Sequence, residues 1–261
     1  MLRRRIRDLL PPQVCSRVKR AFASARGLAN FYERVYEMQA VALPPDESIG
    51  RGDFDGIGKV ELAQLLLEGV QPGDRVIDLG CGTGRLAVHL IPYLRSGRYL
   101  GIDISKTMLR EAVRRTAGIK SGCTVEWKHQ RTSRFEVPDA SADAICAFSV
   151  FTHMEAEDTY RYFQGALRVV RPGGKLIFSC LPLSLEASRG VFLEQAGLEL
   201  SQRWAGVRNV VTTEETMETL AAMAGWKVLR WYRGDQPAVV VPGRAEPQAL
   251  GQSTCILQRP S

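Results

Sequence analysis

The chain has 261 residues, of which 45% are hydrophobic and 24% are charged, a composition that suits a globular protein with a sizeable core. No run of 18 apolar residues occurs, and the basic N-terminus is not followed by the apolar stretch of a secretory signal, so we expect a cytoplasmic protein. The six cysteines are scattered singly, which predicts reduced thiols and argues against both a metal site and a disulfide framework.

The net charge of +7 is carried entirely by residues 1–26, which hold eight basic residues and a single acid, Asp8. Six apolar residues between positions 14 and 28 recur at helical spacing: Val14, Val18, Ala21, Phe22, Ala25 and Leu28. One interpretation is an interfacial helix that holds the protein peripherally on an anionic membrane surface through residues 1–29. The other is a lid that packs on the core and continues through Tyr32 and Tyr36. Nucleic acid is an unlikely partner, because no aromatic residues interleave the basic run.

Residues 1–50 are predicted to form this basic helical leader or lid, and residues 51–261 the main domain. Within the main domain, strands and helices alternate in the manner of βαβ units, which predicts a doubly wound α/β fold. Residues 182–211 lack this periodicity and are interpreted as an excursion above the sheet, a possible substrate lid. The predicted strands cover 75–79, 99–102, 124–128, 144–149, 175–180, 226–232 and 253–258. A turn is expected at 171–174, and a capping box at Thr212 and Glu215 is expected to begin a helix over 212–224.

A glycine loop follows the first strand and opens a helix, so it should lie where doubly wound sheets bind ligands. It comprises Asp78, Gly80, Cys81, Gly82 and Gly84. The spacing is GxGxG, whereas the dinucleotide fingerprint is GxGxxG, and an acid at the strand end suits a cationic ligand better than a pyrophosphate. The alternative is a tight turn between strand and helix without a ligand.

Asp103 lies 19 residues after Gly84, at the end of the second strand. A carboxylate in this place can accept hydrogen bonds from both hydroxyls of a ribose. The alternative is an aspartate that caps a helix or a turn.

Four segments of the sequence resemble the class I S-adenosylmethionine-dependent methyltransferases. They are VIDLGCGTGR (76–85), YLGIDIS (99–105), PDASADAICAFSVFTHM (138–154) and RVVRPGGKLIF (168–178). The resemblance implies a Rossmann-like seven-stranded sheet with a C-terminal antiparallel hairpin, and S-adenosyl-L-methionine as cofactor. It also implies that Asp78 faces the methionine end of the cofactor, that Asp103 holds the ribose, and that Ile104 and Met108 flank the adenine.

One position departs from the family pattern. Family members usually carry an acid just after the third strand that receives the adenine amino group, and Arg131 occupies this place. Because arginine cannot accept a hydrogen bond, the adenine contact is expected from Gln130, Thr132 or the backbone.

The segment after the fourth strand is the candidate for chemistry, since it should lie beside the methionine end of the cofactor. Ser149 is a candidate cofactor contact, and His153 is either the general base or a residue that orients the substrate or packs structurally. The expected reaction is O-methylation of a small-molecule acceptor such as a sugar or a secondary metabolite. N-methylation and a non-catalytic cofactor-binding adaptor remain alternatives, whereas the loop spacing and Asp78 disfavour a nucleotide-dependent oxidoreductase.

Overall fold

The computed structural model describes residues 28–50 and 52–261. The amphipathic pattern that begins at Val14 lies outside the described residues, apart from Leu28, at which the first helix begins. None of the helices in the described ranges is long and apolar enough to cross a membrane.

Eight α-helices alternate with nine strands along the described chain. The helices are α1 (Leu28–Ala42), α2 (Phe54–Leu67), α3 (Ala87–Tyr93), α4 (Lys106–Thr116), α5 (Ala156–Val169), α6 (Glu186–Ala196), α7 (Leu200–Arg203) and α8 (Glu214–Met223). The strands are β1 (Arg75–Leu79), β2 (Arg98–Asp103), β3 (Thr124–His129), β4 (Ala142–Ala147), β5 (Val170–Cys180), β6 (Lys227–Tyr232), β7 (Pro237–Val239), β8 (Gln248–Ala249) and β9 (Ser253–Gln258).

Seven strands form one mixed sheet in the order β3-β2-β1-β4-β5-β9-β6. The first five are parallel, while β9 pairs antiparallel with both β5 and β6. The predicted seven-stranded, doubly wound sheet with a C-terminal antiparallel hairpin is therefore confirmed. Its strand order reverses between β1 and β4, so the crevice that binds ligands in such folds lies at the carboxyl ends of these two strands.

Two buried clusters hold helices against the opposite faces of this sheet. One is rich in aromatic side chains and joins the sheet to α5 and α8 through Phe163, Phe178 and Trp226. The other joins it to α2 and α3 through Leu65 and Leu90. Because both faces are covered, the central strands read as continuous apolar runs rather than as an alternating pattern.

Two predicted boundaries are wrong in detail. The turn expected at 171–174 lies inside β5, which begins at Val170; at this point Gly173 has a φ of 75° and the pairing of β5 with β4 shifts its register. The capping box expected at Thr212 and Glu215 does not form; instead the Thr213 hydroxyl accepts a hydrogen bond from the Thr216 amide and caps α8.

Helix α1 and the segment that follows it cover the carboxyl ends of the strands. The Glu37 carboxylate accepts a hydrogen bond from the Thr107 amide at the start of α4, 3.2 Å away. The Thr83 hydroxyl of the glycine loop donates to the Pro45 carbonyl over 3.2 Å. The 182–211 segment closes another side, where the Val210 amide donates to the Thr152 carbonyl at 2.7 Å.

Candidate active site

A cavity of about 710 Å³ opens at the carboxyl ends of β1, β2 and β4, beneath α1. Ten of the eleven predicted site residues line it: Asp78, Gly80, Cys81, Gly82, Asp103, Ile104, Met108, Thr132, Ser149 and His153. Gly84 is the exception. A Cβ atom at Gly84 would lie 3.2 Å from Ala112, so this glycine allows the loop to approach α4 rather than a ligand.

The backbone of the glycine loop takes conformations that L-residues rarely adopt. Gly80 and Gly82 have φ angles of 71° and 54°. A Cβ atom at Gly80 would lie 2.4 Å from Val150, and one at Gly82 would lie 2.7 Å from Ile49. The loop is therefore restricted to glycine by strain and by close packing together.

Asp103 is a buried carboxylate held by two backbone amides. Its Oδ2 accepts from the Gly82 amide and its Oδ1 from the Ser105 amide, each over 2.8 Å. Burial raises the pKa of Asp103, and the bonds from these amides oppose that rise. These bonds fix the direction of the carboxylate and leave lone pairs for a ligand.

Asp78 lies deeper in the same wall. The Tyr99 hydroxyl donates to its Oδ2 over 2.7 Å, and the Cys146 thiol lies 3.7 Å from Oδ1. Burial raises the pKa of Asp78 to about 7, with a smaller contribution from the negative charge of Glu61, while the Tyr99 hydroxyl lowers it. A cation bound here would stabilise the ionised form, so the site favours a positively charged group.

An ion pair that the sequence pattern did not reveal stands next to Asp78. The Arg85 Nη2 lies 2.5 Å from the Glu61 Oε1, both side chains are largely buried, and both line the cavity. Two carboxylates and one guanidinium thus surround this end of the cavity. Such a set suits a zwitterionic amino-acid group, with its ammonium towards the acids and its carboxylate towards Arg85.

Gln130 occupies the place where the missing acid was expected to act. Its Nε2 donates to the Thr132 carbonyl over 2.8 Å, while its Oε1 is buried and has no partner in the structure. Because a buried acceptor without a partner is costly, Oε1 is suited to receive a hydrogen bond from a ligand. Its amide geometry fits an exocyclic amino group, the role that Arg131 cannot fill.

His153 stands in the remaining part of the cavity, with one ring nitrogen already engaged. Its Nδ1 lies 2.6 Å from the Arg208 carbonyl oxygen. A carbonyl only accepts, so Nδ1 carries the hydrogen and the neutral ring keeps its lone pair on Nε2. Burial lowers the pKa of His153, against the opposing effect of the Arg208 carbonyl, so the ring is neutral at pH 7.

Tyrosines form the wall around His153. The Tyr36 ring packs edge-on against the imidazole at 6.0 Å, and the Tyr32 hydroxyl donates to Asp158 Oδ2 over 3.3 Å. Burial raises the pKa of Tyr32 and of Tyr162 to about 12. These phenols therefore keep their protons at neutral pH and act as hydrogen-bond donors or as aromatic surface, not as bases.

Ser149 lines the cavity in a left-handed conformation, with φ of 56°. Its amide donates to the Ser179 hydroxyl over 2.7 Å, and its hydroxyl lies 3.2 Å from Gln252 Oε1. These bonds stabilise a backbone conformation that costs about 1–3 kcal/mol in a non-glycine residue. Strain of this kind is concentrated at functional sites.

Comparison with known families decides the identity of this domain. Residues 76–174 match the methyltransferase domain family. These residues form a class I S-adenosylmethionine-dependent methyltransferase domain. The cofactor of this domain is S-adenosylmethionine.

The relatives of this methyltransferase domain differ in their acceptors. The chain is 27% identical over 188 residues to phosphoethanolamine N-methyltransferase 1 of Arabidopsis thaliana, an alignment that covers 67% of this chain and 35% of that protein. It is 34% identical over 114 residues to a ubiquinone biosynthesis O-methyltransferase of Hahella chejuensis, covering 42% of this chain and 44% of that protein. The chain thus spans less than half the length of the curated relatives that it matches.

Among solved structures, the fold is similar to that of magnesium protoporphyrin IX methyltransferase from Synechocystis with bound S-adenosylhomocysteine. The TM-score is 0.57 at 18% identity, over 94% of this chain and 99% of that one. At this level of identity, the similarity shows that the two proteins share a fold.

The chemical types of the cavity residues suit the successive parts of S-adenosylmethionine. Asp103 suits the ribose, the unpartnered Gln130 Oε1 suits the adenine amino group, and the acids beside Arg85 suit the methionine end. Sequence reasoning missed Glu61 and Arg85, although Arg85 closes the glycine motif. For Arg85 the available signal was its place directly after the glycine loop, whereas Glu61 had no such signal.

Proposed function

We propose that this chain is an S-adenosylmethionine-dependent methyltransferase whose acceptor is the hydroxyl group of a small molecule. The observation that carries the proposal is the neutral His153, whose Nδ1 is bound to the Arg208 carbonyl and whose Nε2 is free to accept a proton in the cavity. When bound, S-adenosylmethionine supplies a methyl group activated by a sulfonium.

In this proposal the chain positions the acceptor and removes its proton. Asp78, Asp103 and Gln130 hold the cofactor half, so the acceptor occupies the space between His153 and the tyrosine wall. His153 Nε2 takes the hydroxyl proton as the oxygen becomes methylated, and Nδ1–H remains on the Arg208 carbonyl. Holding both reactants in one cavity accelerates the reaction further, because their reacting atoms are kept close together and aligned.

N-methylation of an amine is the second candidate, and one feature of the site favours it. Three tyrosines and Asp158 surround the acceptor half, and aromatic faces with a carboxylate suit an ammonium group. Relatives of the chain include N- and O-methyltransferases alike. Identifying the methylated atom in the product by NMR distinguishes the two candidates.

We further propose that two segments close the cavity. Tyr32, Tyr36 and Gln39 of α1 line it, which supports a lid within the 1–50 leader. Val207 and Asn209 line it from the other side, which supports a substrate lid within 182–211. We also keep, as a proposal, the contact of residues 1–29 with an anionic membrane surface.

The His153→Ala variant tests the catalytic part of the proposal. Incubation with methyl-labelled S-adenosylmethionine and a metabolite extract should show turnover lowered by roughly 10²–10⁴, with little change in cofactor affinity. The control is His89→Ala, which removes a histidine of α3 that does not line the cavity and should retain turnover. Activity of His153→Ala within about threefold of the wild type, or loss of cofactor binding, would assign His153 a structural role instead.

A further inference from the structure

Helices α6 and α7 expose large apolar side chains instead of burying them. Ser188 is the one buried residue of α6, and α7 buries none. Leu193 and Leu200 are 67% and 62% exposed. A helix at the surface of a globular protein normally turns its apolar stripe to the core, whereas these side chains are exposed and available to a partner. The α6–α7 apolar face is defined here as Phe192, Leu193, Leu198, Leu200 and Trp204.

Trp204 connects this face to the acceptor half of the cavity. The Trp204 ring lies 5.2 Å from the Phe31 ring in the first turn of α1. A small cleft lined by both rings and by Val207 extends to His153. A partner on the α6–α7 apolar face would therefore lie next to the acceptor site and next to the point where residues 1–27 join α1.

Charge distinguishes between the partners that this face could receive. The +7 of residues 1–26 precedes α1 directly in the chain. Residues 186–208 contain three acids and three bases, so they offer no excess negative charge to that segment. A cover formed by the basic segment alone would leave its charge unpaired, whereas an anionic bilayer takes up both the apolar side chains and the basic residues. The aliphatic Leu193, Leu198 and Leu200 do not suit nucleic acid, which is bound through phosphate contacts and base stacking.

We propose that the α6–α7 apolar face inserts into the interface of an anionic bilayer, with the basic segment 1–26 as the second, electrostatic contact. This inference rests on the proposed contact of residues 1–29 with an anionic surface and adds the folded part of the chain to it. Two contacts are needed, because a single weak anchor holds a protein only marginally and reversibly on a membrane.

Vesicle sedimentation of the full chain tests the inference. The vesicles are phosphatidylcholine alone and phosphatidylcholine mixed with phosphatidylglycerol. The variants are Leu193→Asp with Leu200→Asp, a charge variant with Arg3, Arg4, Arg5 and Arg7 changed to Gln, and the matched control Val240→Asp. Val240 is as exposed as Leu200, at 62%, and lies outside α6 and α7.

The wild type and Val240→Asp should bind the anionic vesicles, with binding that weakens as salt is added. The double Asp variant should bind at least about tenfold more weakly, since two leucines lose their transfer into the interface. The charge variant should lose about a hundredfold or more. The affinity of every variant for S-adenosylhomocysteine in solution should stay that of the wild type, which separates lost docking from lost folding.

Three results would overturn the inference. Equal binding of the double Asp variant and of Val240→Asp would show that the α6–α7 apolar face makes no contact, even if the charge variant is defective. Failure of the wild type to sediment with either vesicle would do the same. Equal binding of the wild type to both kinds of vesicle would show that the basic segment 1–26 makes no electrostatic contact with the bilayer.

Discussion

We expect Asp78 to make the affinity for the cofactor depend on pH. Its pKa of about 7 in the ligand-free site results mainly from burial, so near neutrality the carboxyl is partly protonated. The cofactor's ammonium group prefers the ionised form, and binding therefore releases a proton. Below about pH 7 the affinity should fall roughly tenfold for each pH unit, and above pH 7 it should level off. Calorimetric titration with S-adenosylhomocysteine across this range measures the effect.

The Tyr99→Phe variant should shift this pH dependence in a direction that can be predicted. The Tyr99 hydroxyl stabilises the ionised Asp78, so its removal should raise the pKa and move the midpoint of the affinity curve to higher pH. Tyr93→Phe is the control, because the Tyr93 hydroxyl donates to the Val70 carbonyl instead. A midpoint that moves to lower pH, or an affinity that does not change with pH, would show that Asp78 does not face the ammonium group.

The site residues that were predicted belong to local sequence motifs, whereas those that were missed interact with residues far away along the chain. The glycine loop and Asp103 follow directly from the strands that carry them, so local pattern was sufficient. Gln130 was proposed because Arg131 cannot accept a hydrogen bond. Glu61 could be predicted only by knowing where α2 packs, because its partner Arg85 is 24 residues away along the chain. No local sequence pattern contains that information.

Two helical glycines, Gly165 and Gly190, allow a test of packing by substitution with alanine, because one is tightly packed and the other is not. In α5, a Cβ atom at Gly165 would lie 2.2 Å from the Ser133 carbonyl oxygen, beside the buried Phe135 ring. In α6, a Cβ atom at Gly190 would meet nothing within 4 Å. Gly165→Ala should lower the free energy of unfolding by about 1–3 kcal/mol through overpacking. Gly190→Ala should raise it by about 0.5–1 kcal/mol through helix propensity.

Urea denaturation of both variants checks this pair. Because Ser133 also lines the cavity, Gly165→Ala should weaken cofactor binding as well, whereas Gly190→Ala should not. Stabilisation by Gly165→Ala would mean that α5 stands further from the 133–135 segment. Strong destabilisation by Gly190→Ala would mean that α6 is packed against a part of the chain.

Element types were easier to predict than element ends. The seven strands of the main sheet were expected from the alternation of strand and helix patterns along the chain, and all seven are present. The start of α8 was misplaced by one residue, because Thr212 and Thr213 are equally good caps and only the tertiary structure chooses between them. The small β7–β8 pair lies in a loop rich in Pro and Gly, where strand propensity is low, and it was not predicted.

The cavity as a whole is built from three separate parts of the chain. The strand ends supply the acids that suit the cofactor, α1 supplies tyrosines, and the 204–210 segment supplies the carbonyl that orients His153. The Arg208 guanidinium also pairs with Glu155 and lies 4.3 Å from the Trp204 ring. The acids that suit the cofactor therefore lie at the ends of sheet strands, whereas the orientation of the proposed base, His153, depends on elements outside the sheet.

Calorimetric titration of Asp103→Ala with S-adenosylhomocysteine tests the cofactor assignment most directly. The substitution removes hydrogen bonds from ribose hydroxyls to a charged acceptor, each worth about 1.5–3 kcal/mol, so affinity should fall at least tenfold. Asp235→Ala, which removes a carboxylate paired with Arg233 outside the cavity, should bind as the wild type does, and NAD should bind to neither. Unchanged affinity in Asp103→Ala, in a variant whose melting temperature shows that it is folded, would contradict the account, as would tight binding of NAD.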